Sequence, residues 1–361
     1  MFDKVGARAD MVGTVVSWDG STGDASNTVN TAPSLDLRTA PGLLALQRLP
    51  RVGPTTALRT ALHRDLKASN IVALDQDALS TAYEGAEREV ETCGRAGVEV
   101  IGFFDERYPP ALSQITDPPP VLFAKGNLEL LRHERLLAVV GTREPTVFGE
   151  TAAKAITTKA GEAEWGIVSG LALGIDSIAH TVALEVGAPT IAVLGNGLDR
   201  VYPKANASLA ERILAAGGLL LSELSLRAPP LPRNLIARDR LQSGLAAAVV
   251  VVQTGVKGGT MHTARFAAEQ GRPIFCPVPH GENGKSEGLR VLLERPGRDL
   301  CGVIPAWKQA RVLCSRLGAS PIARPVERDH LDALVEALEL TLVRPIEGDQ
   351  QALLFPAHTE S

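Results

Sequence analysis

Six short apolar runs, at 136–140, 166–169, 190–194, 218–221, 246–252 and 273–278, are rich in β-branched residues and leucine and scarcely alternate with polar ones. A strand with one wet face alternates, so unalternated runs of this length belong to strands buried on both faces. A parallel sheet covered by helices on both sides provides that burial. Stretches with helical spacing at about 147–160, 176–186, 207–216 and 261–270 lie between the runs and supply the crossovers. The pattern predicts an α/β chain with a doubly wound, mainly parallel sheet.

Around this sheet the grammar changes. Residues 1–35 are rich in Ser, Thr, Asn, Asp and Gly and read as a flexible leader. Residues 36–97 read as a helical module. There Leu43, Leu44, Leu46 and Leu49 precede the break Pro50-Arg51-Val52-Gly53-Pro54, Thr55 or Thr56 can cap a second helix, and 76–97 form another. A proline-rich stretch at 108–120 leads to Val121-Leu122-Phe123, and the sheet domain is taken as 98–300. Residues 301–361 read as a short helical extension, with one amphipathic helix at 329–340 and a polar tail.

With 37 Lys and Arg against 41 Asp and Glu, the net charge of -4 excludes a polycation that holds nucleic acid by bulk charge, so any anion site must be local. Aromatic residues are only 4%, which argues against a broad base-stacking platform. Cys93, Cys276, Cys301 and Cys314 show no C-x-x-C spacing, which disfavours a zinc cage and a disulfide framework and fits a reducing cytoplasm. The longest apolar run, 245–252, is too short to span a bilayer, and no membrane role is expected. No metal or cofactor motif stands out.

In an open parallel sheet, ligands collect beyond the carboxyl ends of the strands, where helix N-termini present free amides. The turns after the runs therefore carry the information. The first is Gly141-Thr142-Arg143, where glycine lets the backbone approach a ligand, Thr142 offers a hydroxyl and Arg143 can grip phosphate; its plain alternative is a tight turn with a solvated arginine. The second carries Gly170 and Gly174 before Asp176, with His180 four residues on, either a catalytic pair or a helix brace. In the third, Gly195-Asn196-Gly197 leads to Tyr202-Pro203-Lys204, and Lys204 faces either phosphate or solvent. Between the fourth and fifth runs, Arg227, Arg233, Arg238 and Arg240 lie among Pro229, Pro230 and Pro232, which suits a wrapped loop presenting guanidiniums to an anion, or a solvated face. The last turn, Lys257-Gly258-Gly259-Thr260, forms an anion nest at a helix start. Neither a dinucleotide G-x-G-x-x-G nor a Walker A loop is present, which leaves ATP hydrolysis without support.

The segments VVGTREPTVFG, SGLALGIDSIAH, TIAVLGNGLDRVYPKAN, LLLSEL, ARDRLQSGL and KGGTMHTARFAAEQGRPIFCPVP, in this order over about 98–290, resemble the DprA/Smf family, the DNA-processing proteins of natural transformation. LPRVGPTTA resembles the helix-hairpin-helix-like module found before the sheet in many members. The resemblance implies an extended Rossmann-like domain that binds single-stranded DNA in a positive pocket, forms a homodimer and helps load the recombinase RecA in DNA recombination. Carried over, the pocket uses Gly141, Thr142, Arg143, Gly170, Gly174, Arg238, Arg240, Gly259 and Thr260, and the charge argument adds Lys204, Arg233 and Lys257. The chain departs from the family's R-N-R block preceded by Phe-Pro, carrying Arg238-Asp239-Arg240 after Leu235-Ile236. An aromatic base contact and an amide are thus missing there, and no winged helix is evident at the C-terminal end. Two rivals share the fold. One is a nucleoside-monophosphate phosphoribohydrolase-like enzyme, whose glycine turn Gly258-Gly259-Thr260 resembles but whose following carboxylate is replaced by Met261-His262; the other is a nucleotide-binding sensor. The expectation is binding without catalysis.

Overall fold

The structure is a computed structural model and describes residues 35–62, 75–280 and 284–343. Nearly all of the expected leader and most of the expected polar tail lie outside the described residues. The chain opens with α1 (Ala40–Arg48), α2 (Pro54–Leu62) and α3 (Gln76–Arg95), then β1 (Glu99–Gly102), the single turn α4 (Pro110–Ser113) and β2 (Val121–Gly126). Thr39 caps α1 by accepting from the Gly42 amide, and Asp75 caps α3 through the Asp77 and Ala78 amides. The crossover region follows as β3 (Leu136–Val140), α5 (Val147–Glu162), β4 (Gly166–Ser169), α6 (Ile175–Glu185), β5 (Thr190–Val193), α7 (Ala207–Ala215) and β6 (Leu219–Ser222). Next come α8 (Pro232–Leu245), β7 (Ala248–Val251), α9 (Thr260–Glu269), β8 (Ile274–Pro277), α10 (Glu287–Glu294), α11 (Leu300–Val303), α12 (Arg311–Leu317), β9 (Ala323–Val326) and α13 (Leu331–Val343).

The strands form one nine-stranded sheet in the order β1-β2-β6-β5-β4-β3-β7-β8-β9. Seven of them, β3 to β9, run parallel, whereas β1 and β2 join antiparallel, with Phe123 opposite Ser222 and Ile101 opposite Leu122. The expected α/β class and mainly parallel sheet are therefore present. Alternate residues of one strand serve different cores: Leu136, Ala138 and Val140 face the layer with Leu241, Met261 and Leu289, while Leu137 and Val139 face Ile156, Ala179 and Leu338. Each face is apolar, and this is why the runs do not alternate. A third cluster joins Leu43 and Leu46 of α1 and Cys93 of α3 to Val121, Phe123, Leu194 and Ile213, so the helical module and one end of the sheet share their packing.

Three sequence expectations are corrected. The arginine segment is not a wrapped loop: Pro232 occupies the first turn of α8, where its missing amide costs nothing, and the segment continues as a helix. The region after 300 is not helical alone, because Ala323–Val326 pairs in parallel with β8 as the edge strand; its Arg-Pro centre hid it from an apolar-run criterion. Finally, Cys301 and Cys314 form a disulfide across α11 and α12 with Cα atoms 6.4 Å apart. The chain folds back between the two helices and brings the Cα atoms within bridging range, which sequence spacing does not show. No helix among the described residues is long and apolar enough to cross a membrane.

Candidate functional site

The chain moves from β3 outward through β4 and β5 to β6, then returns to place β7 on the other side of β3. This reversal opens a crevice beyond the carboxyl ends of β3 and β7, the place where such sheets bind ligands. A cavity of about 440 Å³ lies there, lined from three turns and from α8: Gly141, Thr142 and Arg143 after β3, Ala172 and Asp176 after β4, Thr254, Gly255, Gly258, Gly259, Thr260 and Thr263 after β7, and Arg238, Asp239 and Gln242.

Each wall is held by short-range contacts. The Thr142 amide donates to the Gln253 carbonyl at 2.8 Å and its carbonyl accepts from the Ile175 amide at 3.1 Å, which pins the β3 turn between its neighbours. Thr142 Oγ1 accepts from the Glu144 amide at 3.2 Å. Gly174 has φ +77°, and a Cβ there would collide with the backbone of Thr142 and Arg143, so only glycine lets the two turns meet. Across the crevice, Gly259 and Thr260 head α9, where the Met261 and His262 amides donate to the Gly258 and Gly259 carbonyls at 3.1 and 2.9 Å. Trp307 Nε1 donates to the Met261 carbonyl at 2.9 Å and ties the segment after α11 to this helix start.

The floor is built from Arg238. Its guanidinium donates to the carbonyls of Gly170, at 2.8 Å, and Val193, and Nε donates to Asp239 at 3.2 Å. A Cβ on Gly170 would displace that guanidinium. In the amide orientation that satisfies both ends, Gln242 donates to Asp239 at 3.3 Å and accepts from the Gly170 amide at 2.8 Å. Asp176 is buried and accepts from the Gly170 and Ala172 amides at 3.1 and 3.3 Å. Burial raises the Asp176 carboxyl above the usual range and, against the pull of Arg238, pushes Asp239 up to about 7. Burial thus weakens, at Asp239 near neutral pH, the negative charge that would oppose Arg143 and Arg238.

The structure distributes the sequence-singled residues unevenly. Gly141, Thr142, Arg143, Arg238, Gly259 and Thr260 line one cavity. Gly170 and Gly174 stand behind it as the close approaches described above. Lys257 is exposed within the turn that carries Gly255 and Gly258, Arg233 and Lys204 are exposed elsewhere, and none of the three lines the cavity. Arg240 is buried on another side of α8, bidentate to Glu223 at 2.7 and 2.6 Å and bonded to Asp117 at 2.8 Å. The Asp176–His180 pair does not form: His180 is buried, its Nδ1 lies 2.7 Å from Thr190 Oγ1, and burial lowers its pKa to about 3. Asp239 and Gln242 were not singled out as site residues. Their spacing from Arg238 on one helix, i+1 and i+4, was the available signal, but it required knowing that 232–245 is helical. Among the described residues no group of three or more His, Cys, Asp or Glu could hold a metal ion.

The profile of the DNA recombination-mediator protein A family matches residues 99–298, more than half of the chain and all of the cavity. The chain belongs to this family. It is 44% identical to Protein Smf of Escherichia coli over 191 residues, which is 53% of this chain and 50% of that protein. It is 35% identical to the DNA processing protein DprA of Bacillus subtilis over 219 residues, 61% of this chain and 72% of that one. The chain thus spans half the length of the Escherichia coli relative. The crystallised DNA processing protein A of Streptococcus pneumoniae superposes with a TM-score of 0.58 at 32% identity, covering 72% of this chain and 90% of that one. The Helicobacter pylori protein, whose structure was described for its single-stranded DNA binding mode, gives 0.53 at 26% identity over 67% and 96% of the two chains.

Proposed function

We propose that the cavity binds the phosphates of single-stranded DNA with little sequence preference. The observation that carries this reading is the convergence of Arg143, Arg238 and the head of α9 on one crevice, where burial raises the pKa of both acids. The binding mode described for the Helicobacter pylori relative supports it. Contact with about three or four phosphates gives a log-log salt slope of roughly -2 to -3. Titration of a labelled oligothymidine across salt, beside a duplex of equal length, tests this; equal or tighter duplex binding rejects the pocket reading.

Family membership also supports a homodimer that passes DNA to a RecA-type recombinase in DNA processing or transformation. Light scattering on the full chain tests the dimer. The RecA step is tested by whether the protein relieves the block that single-strand-binding protein places on RecA filaments. One observation favours turnover instead: a carboxyl with a raised pKa inside a crevice, Asp239, is the kind of group that serves as a general acid. Against it, Met261-His262 stands where the glycosidase turn needs its carboxylate. Chromatography after incubation with nucleoside monophosphates and ATP separates the two, with no free base or ADP expected.

A further inference from the structure

A second cavity, of about 290 Å³, lies at the edge of the sheet, between the ends of β8 and β9, the first half of α5 and the start of α13. It shares no residue with the crevice described above. Its walls are apolar, with Phe148, Ala152, Ala155 and Ile156 from α5 facing Val278 and Val326. α13 packs on the second half of α5, where Lys159 pairs with Asp332, and leaves the first half open. Val147 at this opening is 80% exposed, the highest value among the large apolar residues of the described chain. The alanines at 152 and 155 carry too little side chain to fill the space. An apolar hollow with an exposed valine at its lip gains free energy when hydrocarbon covers it. The one formal charge in its lining is Arg328, which is exposed and makes no ion pair among the described residues; Glu327 and Asp329 flank it in sequence but do not line the cavity.

The chain itself carries a segment that suits this space. Residues 344–361 follow α13 and lie outside the described residues. Their longest apolar run is Ala352-Leu353-Leu354-Phe355-Pro356-Ala357, and two acids, Glu347 and Asp349, precede it. Acids followed by hydrocarbon match a cavity with a cation at its rim and apolar walls. The reach is sufficient. α13 starts at the cavity with Leu331 and ends at Val343, about 18 Å away along the helix. The chain from 343 to 353 can span up to about 33 Å, enough to return over that distance. A tether of this length holds the run at about millimolar effective concentration, above that of a second copy in dilute solution.

We propose that Leu353, Leu354 and Phe355 dock in cis in the cavity between α5 and α13, against Ala152 and Ala155, with Glu347 and Asp349 towards Arg328. The segment after α13 thereby closes the apolar face at the edge of the sheet. Any other ligand of that face competes with it.

The test uses the full chain, a chain ending at Arg344, and the full chain carrying Phe355→Asp. Thr151→Arg is added to the full and the shortened chain. Thr151 is exposed and lines the cavity, so an arginine there charges the wall without entering the core. Nile red, an uncharged apolar dye, reports the open cavity. Shortening and Phe355→Asp should each raise dye binding about twofold or more, the factor set when the tethered segment sits at or above its dissociation constant. Both should lower the urea midpoint. Thr151→Arg should lower that midpoint in the full chain, leave it unchanged in the shortened one, and remove the extra dye binding. A peptide of residues 345–361 at about 1 mM should displace dye from the shortened chain, and the same peptide with Phe355→Asp should not. Equal dye binding and equal urea midpoints in the full and shortened chains, or additive effects of shortening and Thr151→Arg, overturn the docking. Dye binding by the full chain that falls as its concentration rises overturns docking in cis and gives the cavity to a second copy. No readout involves DNA, so none of these outcomes bears on the phosphate cavity.

Discussion

On the cavity side of α8, Arg238 is surrounded by groups that leave it work to do: two backbone carbonyls, a carboxyl pushed towards neutrality and an open crevice shared with the exposed Arg143. Two residues further on, Arg240 meets a bidentate Glu223 and a second carboxylate, Asp117, and the two arginine side chains are equally enclosed, at 7% and 8% exposed. The guanidiniums are chemically identical and only two residues apart in sequence. Their partners decide that one lines a ligand space and the other clamps α8 to the end of β6 and to the segment after α4. A basic segment is therefore not a unit of function: the 100° step of the helix divides it into a binding face and a strap.

The largest test of that division is Arg240→Ala. It leaves Glu223 as a poorly solvated charge without its partner, whereas Asp117, 55% exposed, stays in water; the loss should cost about 3 kcal/mol of stability, read as a lower urea midpoint. DNA affinity per folded molecule should stay at the wild-type value. A variant of wild-type stability that binds poorly would place Arg240 in the interface and erase the contrast.

Arg143→Ala should show the reverse. Arg143 is exposed at the cavity and has no ion pair among the described residues, so its loss should leave the urea midpoint unchanged. Binding should weaken by roughly 10- to 150-fold, the worth of a charged phosphate contact of about 1.5 to 3 kcal/mol. Arg107→Ala is the control. That side chain is paired with Asp105 and Glu99 on the segment after β1, and removing it should move neither stability nor affinity appreciably. Equal binding by the two variants would reduce the β3 turn to a structural role.

The contrast also explains what the sequence could and could not disclose. The strands β3 to β8 were legible because burial on both faces leaves an apolar run, and the turns after β3 and β7 were legible because a glycine between a strand and a helix has few other uses. β9 was hidden because two of its four residues are Arg and Pro. α8 was hidden because its prolines read as loop until Pro232 is seen to start the helix. The roles of Arg238, Asp239, Arg240 and Gln242 depend on which way each projects from α8. That direction, and the carboxylates waiting on the far side at positions 117 and 223, come from contacts remote in sequence.

The smallest expected effect concerns pH. Asp239 is pushed up to about 7, first by burial and also by the neighbouring Asp176, while Arg238 and Arg143 pull it down. As pH rises from 6 to 8 the carboxyl acquires charge inside a cavity that takes phosphate, so oligothymidine affinity should fall a few-fold over that interval. His180, lowered to about 3 by burial, is neutral throughout, and burial also holds His262 below the usual imidazole range. Asp239→Asn keeps the shape and a hydrogen-bonding side chain but cannot ionise, and should flatten the profile. The same group leaves a mark on stability. An aspartate whose folded pKa lies above its ordinary 3.8 binds its proton more tightly in the folded state, so its contribution to stability declines as pH rises from about 4 to about 7. Asp239→Asn should therefore gain on wild type in urea midpoint between pH 5 and pH 8. A flat wild-type binding profile together with an unchanged stability difference would show that Asp239 is charged throughout, and that the cavity admits phosphate against a full carboxylate.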